Sequence, residues 1–163
     1  MEPEDTLEAG RLLAIYLDKK AYFSHNVTVL LQGPMGCGKT VLAKGFGKAL
    51  GIDPDDIVSP TFSIANRHRG RRVFTHLDLF RLGETCHPLD EFVNSGLDEY
   101  FDGVSLIEWS ERLDYDYYPE PKLRISMKVF DSPSSTTHTP RLASFEGRFP
   151  YSLEEVFNVF PRP

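Results

Sequence analysis

The chain has 163 residues, 40% of them hydrophobic, and 24 acidic against 18 basic side chains give it a formal charge of −6. That length suits about one domain with a real core, and the negative balance excludes tight, autonomous binding to nucleic acid, which needs a net basic footprint; action on RNA through a basic partner stays open. No apolar run reaches membrane-spanning length, Met1-Glu-Pro-Glu-Asp5 has the wrong charge for a signal peptide, and Cys37 and Cys86 make no disulfide framework, so a cytoplasmic setting is expected.

In chain order, Leu7, Leu12, Leu13, Tyr16 and Leu17 form a helical apolar stripe, which predicts a helix over residues 7–19 capped by Thr6. Val27-Thr-Val-Leu-Leu-Gln32 reads as a buried strand, and Val41 to Leu50 as a helix closed by Gly51. Between them Gly33-Pro-Met-Gly-Cys-Gly-Lys-Thr40 fits G-x-x-x-x-G-K-[ST]. A strand before this phosphate-binding loop and a helix after it are the context that separates it from a chance Gly-rich turn. Glycines let successive N–H groups point inward at phosphates, helped by the positive end of the helix. Lys39 would reach the β- and γ-phosphates, and the Thr40 hydroxyl would ligate Mg²⁺.

Asp53-Pro-Asp-Asp breaks the chain, and Val58 to Ile64 reads as extended because Pro60 disfavours helix at Ser59. His68-Arg-Gly-Arg-Arg72 reads as a hairpin tip leading to a strand over Val73–Phe80. Pro88 opens a short helix ended by Gly96, and Gly103 to Trp109 is a short apolar run ending in an acid, as buried parallel strands do. Lys122–Phe130 alternates as a strand, with Arg141–Glu146 returning antiparallel after a Ser132–Thr137 loop. Ser152-Leu-Glu-Glu155 has the form of a capping box before Val156, Phe157, Val159 and Phe160. The expected organisation is a P-loop domain over residues 1–150 and a tail over 151–163 holding a short amphipathic helix. The expected fold is α/β: a P-loop NTPase with a mixed, mainly parallel sheet, flanking helices and antiparallel hairpins.

A phosphate-binding loop needs an acid that holds the metal and a group that positions the nucleophile. Asp78 and Glu108 each end a buried strand, where a carboxylate is costly unless a cation or hydrogen bonds compensate it. A loop-capping carboxylate is the plain alternative for each. Thr61, after Ser59-Pro60, stands where a switch threonine would meet metal and γ-phosphate. His76 alternates with Asp78 on its strand, a neighbour of the site or simply packed. Arg67, Arg69, Arg71 and Arg72 are the basic cluster, read as a solvated hairpin tip against contact with RNA or an acidic partner. Arg81 either touches phosphate or pairs with an acid.

Taken together these blocks resemble the TsaE family, P-loop ATPases of bacterial tRNA threonylcarbamoyladenosine synthesis. The resemblance spans residues 6 to 130. It rests on Thr6-Leu-Glu-Ala-Gly-Arg-Leu-Leu-Ala14, the phosphate-binding loop, Lys44-Gly-Phe46 with Leu50-Gly51, and Ser59-Pro-Thr-Phe62. It continues through His76-Leu-Asp-Leu-Phe-Arg-Leu82, Gly96-Leu-Asp-Glu-Tyr-Phe101 and Ile107-Glu-Trp109. It implies ATP and Mg²⁺ as cofactors, with Lys39, Thr61 and Glu108 in catalysis and Thr40, Asp78 and Glu108 at the metal. Gly33, Met35, Gly36, Cys37, Gly38, Lys39, Thr40, Val41 and Trp109 would contact the nucleotide. It further implies TsaB and TsaD as partners, with hydrolysis resetting that complex and tRNA met only through it. Trp109 is equally a core anchor by its size alone.

The loop departs from the family's usual pattern at Pro34-Met-Gly-Cys37. Pro34 removes one donor, while those of Gly36, Gly38 and Lys39 remain. Cys37 reads as a small residue tolerated there rather than a redox sensor. The rival functions are a small-molecule P-loop kinase, which normally needs an arginine-bearing lid, and a non-hydrolysing nucleotide switch. The absence of Asn-Lys-x-Asp after the loop favours adenine over guanine.

Overall fold

The computed structural model describes residues 3–19, 26–60, 64–129 and 141–147. Thr61, the 132–137 loop and the 151–163 tail therefore lie outside the described residues.

The first helix, α1 (Pro3–Lys19), starts earlier than its apolar stripe. Proline at its start lacks the N–H that a helix leaves unpaired there, and Glu4 and Asp5 suit the positive end. Thr6 is thus no cap: it is fully buried one turn inside, on the face carrying Ala9, Gly10, Leu13, Ala14 and Leu17. That face packs on α2 (Lys39–Ala49).

Six strands form one sheet: β1 (Val27–Gln32), β2 (Ala65–Arg69), β3 (Val73–Asp78), β4 (Val104–Glu108), β5 (Lys122–Val129) and β6 (Arg141–Gly147). Their order is β2-β3-β4-β1-β5-β6. Pairs β3–β4, β4–β1 and β1–β5 are parallel, and the outer pairs β2–β3 and β5–β6 are antiparallel. Both faces of β1 are covered, which is why its sequence is continuously apolar. Val27, Val29 and Leu31 enter the core under α1 and α2 with Phe46, Phe74 and Leu106. Leu30 faces the opposite core with Leu77, Ile107, Phe92 and Tyr118, beneath α3 (Pro88–Asn94) and several short helical turns. The period-two switch between cores is the pleat of the strand. Phe46 is fully buried, so Phe46→Ala would cost about 3–5 kcal/mol.

Of the extended segment expected over 58–64, residues 61–63 lie outside the described residues, and Ile64 departs from it. Ile64 takes φ 65, its N–H donating to Pro60 O at 2.6 Å while its own carbonyl accepts from Asp78 N–H at 2.9 Å. A β-branched residue in that region ends an extended run, so β2 begins only at Ala65, and the hairpin tip is Gly70–Arg72 rather than 68–72. The second strand stops at Asp78, and Phe80–Glu84 forms a helical turn.

Candidate functional site

The site is built at the carboxyl ends of β1, β3 and β4. β1 ends at Gln32 and α2 begins at Lys39, and the loop between turns on Gly33 (φ 139), Gly36 (φ 76) and Gly38 (φ 100). Gly36 faces open space, with nothing within 4 Å of where a Cβ would stand. No side chain caps α2 and no acid lies in its first turn, so its positive end is left to an external anion. Lys39, buried at that end, donates to Gly33 O at 2.7 Å and Pro34 O at 2.9 Å. Its ammonium also lies 3.9 Å from the Trp109 ring centroid.

Parallel pairing of β3 with β4 sets Asp78 opposite Glu108. Asp78 is buried, accepting from Ser59 Oγ at 2.7 Å and from Phe80 N–H at 2.9 Å. Glu108 is also buried, and its Oε1 accepts from Thr40 Oγ1 at 2.9 Å and contacts His76 Nε2 at 2.8 Å. Trp109 follows with φ 58, a strained turn that swings its ring over the loop instead of into the next strand position. Phe80 meets that ring at 5.1 Å between centroids, and the Arg112 guanidinium lies 5.5 Å from it.

These groups surround a cleft of about 440 Å³ lined by Met35, Gly36, Gly38, Lys39, Thr40, Val41, Ser59, Asp78, Phe80, Glu108 and Trp109. Most of the residues expected from the sequence therefore meet here. Two of them do not line it: Gly33 closes the back of the loop, and the Cys37 side chain is buried in the core below. Cys37 cannot offer its thiol to a nucleotide, and its N–H is directed at Pro34 O at 3.4 Å. Burial holds that thiol above its ordinary pKa, against the opposing effect of Lys39, so the redox reading of Cys37 loses its chemical basis. Thr61 lies outside the described residues.

Ser59 and Phe80 were not singled out from sequence. The signal for Ser59 was its place before Pro60, in a segment that had to turn back toward the acids. Arg81 is exposed and does not line the cleft. The arginine cluster lies at the opposite end of the sheet from the loop, where Arg67 pairs with Asp102 and Arg71 reaches Ala49 O and Asp18. Arg67 and Arg71 are thus engaged in surface links at the rear edge, away from the loop.

The cradle fits a triphosphate: positive-φ glycines, an uncapped helix end and a lysine at its first turn. Thr40, Asp78 and Glu108 offer the hard oxygen donors that suit Mg²⁺, although the described residues hold no group of three His, Cys, Asp or Glu side chains that would bind a metal unaided. A cation here would share its ligands with phosphate oxygens, as Mg²⁺ usually does.

A largely parallel sheet with this loop between its central strand and α2 makes the protein a P-loop NTPase in fold. A family model described as threonylcarbamoyl adenosine biosynthesis protein TsaE matches residues 1–136. The chain belongs to the TsaE family. Among its relatives, a tRNA threonylcarbamoyladenosine biosynthesis protein TsaE from a Nostoc species is 39% identical over 121 residues, 70% of this chain and 67% of that one. The protein of the same name from Treponema pallidum is 34% identical, over 77% of this chain and 86% of its own. In solved structures, the Bacillus subtilis protein YdiB superposes with a TM-score of 0.57 at 28% identity, covering 81% of this chain and 75% of that one.

Proposed function

We propose that the chain is the Mg²⁺-dependent ATPase subunit required for threonylcarbamoyl modification of adenosine in tRNA, acting on the TsaB–TsaD complex as a resetting switch. The observation that carries this reading is Glu108: a buried carboxylate on the cleft wall, bonded to the Thr40 hydroxyl of the phosphate-binding loop.

In this reading the N–H groups of Gly36, Gly38, Lys39, Thr40 and Val41 cradle the phosphates. Lys39 leaves the Gly33 and Pro34 carbonyls to reach them. Thr40 and Asp78 hold Mg²⁺, which when bound neutralises charge building on the β- and γ-phosphate oxygens. Ser59 and the Phe80 N–H fix the Asp78 carboxylate. Glu108 orients the attacking water and takes its proton. Met35 and Trp109 wall the cleft, and Thr61, two residues past Ser59 in sequence, serves as the switch threonine toward the metal and γ-phosphate. Gly33 and Cys37 serve by shape, one at the turn and one as filling beneath it. Adenine is the base, the compartment is the cytoplasm, and tRNA is reached only through the complex. Among the described residues no helix is long and apolar enough to cross a membrane.

The test is phosphate release from Mg·ATP by the chain alone and with purified TsaB–TsaD. Stimulation by the pair is the expected result. Binding without release in either condition would overturn the hydrolytic reading and turn attention to a non-hydrolysing switch or to a kinase awaiting its acceptor.

A further inference from the structure

His76 is fully buried in the sheet beside the cleft, and the hydrolytic scheme gives it no task. Its Nε2 lies 2.8 Å from Glu108 Oε1. Its Nδ1 is buried without a hydrogen-bond partner among the described residues. An N–H buried without an acceptor is costly, so the ring proton belongs on Nε2, where it is donated to the carboxylate. The ring stacks on Phe74, with centroids 6.4 Å apart and planes at 21°, and its strand is locked beside β4 with His76 opposite Leu106. This imidazole has no room to swing.

Glu108 Oε1 therefore has two donors of different kinds. The Thr40 hydroxyl is a rotor, and its direction follows whatever its oxygen ligates. The imidazole is fixed by packing. Resting on the hydrolytic reading above, we propose that His76 is a positioning residue: its Nε2–H pins Oε1 so that the other carboxylate oxygen is left to the cleft and to the attacking water. It touches neither nucleotide nor water, and acts only through Glu108.

The test uses two substitutions of similar size and polarity. In His76→Gln the side-chain amide nitrogen stands near the place of Nε2; in His76→Asn it stands near that of Nδ1 and falls short of Glu108. Steady-state ATPase with TsaB–TsaD, equilibrium binding of Mg·ATP to the chain, and long-range ¹H–¹⁵N spectra of the His76 ring in the free chain are measured together. His76→Asn is expected to lower kcat about 10–100-fold, the usual effect of losing a group that orients a site ligand, with KM and ATP affinity unchanged. His76→Gln is expected to restore most of that rate. In a Glu108→Gln background the Asn change should have no further effect on kcat. The ring spectrum is expected to show the Nε2–H tautomer and to shift in Glu108→Gln.

Wild-type kcat in His76→Asn, or equal losses in both variants, would overturn the proposal, and so would an Nδ1–H tautomer. If wild-type protein released no phosphate with its partners, the hydrolytic reading would fall. The ring spectrum of the free chain would then still decide whether His76 donates to Glu108.

Discussion

Lys39 and Trp109 are stacked, the ammonium 3.9 Å from the centre of the indole ring. The same ammonium donates to two carbonyls of its own loop. A cation over tryptophan gains about 0.5–2 kcal/mol, less than a triphosphate offers in the same place, so phosphate binding should draw Lys39 off the ring.

Trp109 is the chain's single tryptophan, so its emission reports that displacement directly. Titration with Mg·ATP should change the emission of the wild-type chain. Lys39→Ala should start from an altered spectrum and respond weakly or not at all. An emission spectrum indifferent to saturating nucleotide would contradict the swing of Lys39.

Glu108→Gln keeps a group able to accept from Thr40 and His76 while removing the charge and the base. Turnover should fall about 10²–10⁴-fold, the range for losing a positioned base. Nucleotide affinity should hold, since the phosphate cradle is built from the loop and α2. Phosphate release and equilibrium binding, measured on the same preparation, check both halves. A normal rate in this variant would remove Glu108 from the chemistry.

Local signals carried much of this site. The loop was readable because its glycines, Lys39 and Thr40 are contiguous and lie between an unbroken apolar strand and a helix. Asp78 and Glu108 could each be read as strand-end acids, but their placement opposite one another depends on β3, β4 and β1 lying side by side. That order is a property of chain crossovers, which no window of residues contains. Ser59 met Asp78 for the same reason, by a return of the chain across 19 positions. Two boundaries were misplaced by local rules. Thr6 looked like a cap because threonine is favoured there, whereas Pro3 with Glu4 and Asp5 already opens the helix. Val58 to Ile64 looked extended because Pro60 disfavours helix before it, yet hydrogen bonds to Pro60 O and from Asp78 N–H hold Ile64 at positive φ at a cost of about 1–3 kcal/mol.

Alkaline pH should destabilise the fold through two buried groups. Burial raises the Cys37 thiol, and burial followed by the nearby Glu111 raises the Tyr118 hydroxyl, which donates to Ser110 O at 2.8 Å. The folded chain keeps both protons while the unfolded chain gives them up from about pH 9 upward. The unfolded state then binds fewer protons, so stability is full below that pH and falls as pH rises through it. Denaturant midpoints between pH 8 and 11 should show the decline, and Tyr118→Phe should flatten it. The same burial predicts that native protein reacts with iodoacetamide at exposed Cys86 and not at Cys37. Labelling of Cys37 without denaturant would show the loop to be far more open than its packing implies.

The contact between α1 and α2 rests on two reciprocal glycines. A Cβ at Gly45 would stand 1.8 Å from Leu7 O, and one at Gly10 would stand 2.2 Å from Leu42 O. Each helix thus presses its bare backbone against a carbonyl of the other, and neither obstacle is a side chain that could turn aside. Alanine normally stabilises a helix interior by up to about 1 kcal/mol over glycine. Here overpacking should outweigh propensity, and Gly45→Ala should destabilise by about 2 kcal/mol or more as the helices are forced apart. Because α2 carries Lys39 and Thr40 at its first turn, the displacement should also weaken Mg·ATP binding. Lys44→Ala, at the neighbouring partly exposed position, is the control and should leave stability within about 0.5 kcal/mol. Equal stability of the two variants would mean that the helices separate freely, and the close approach would then have no part in holding the loop.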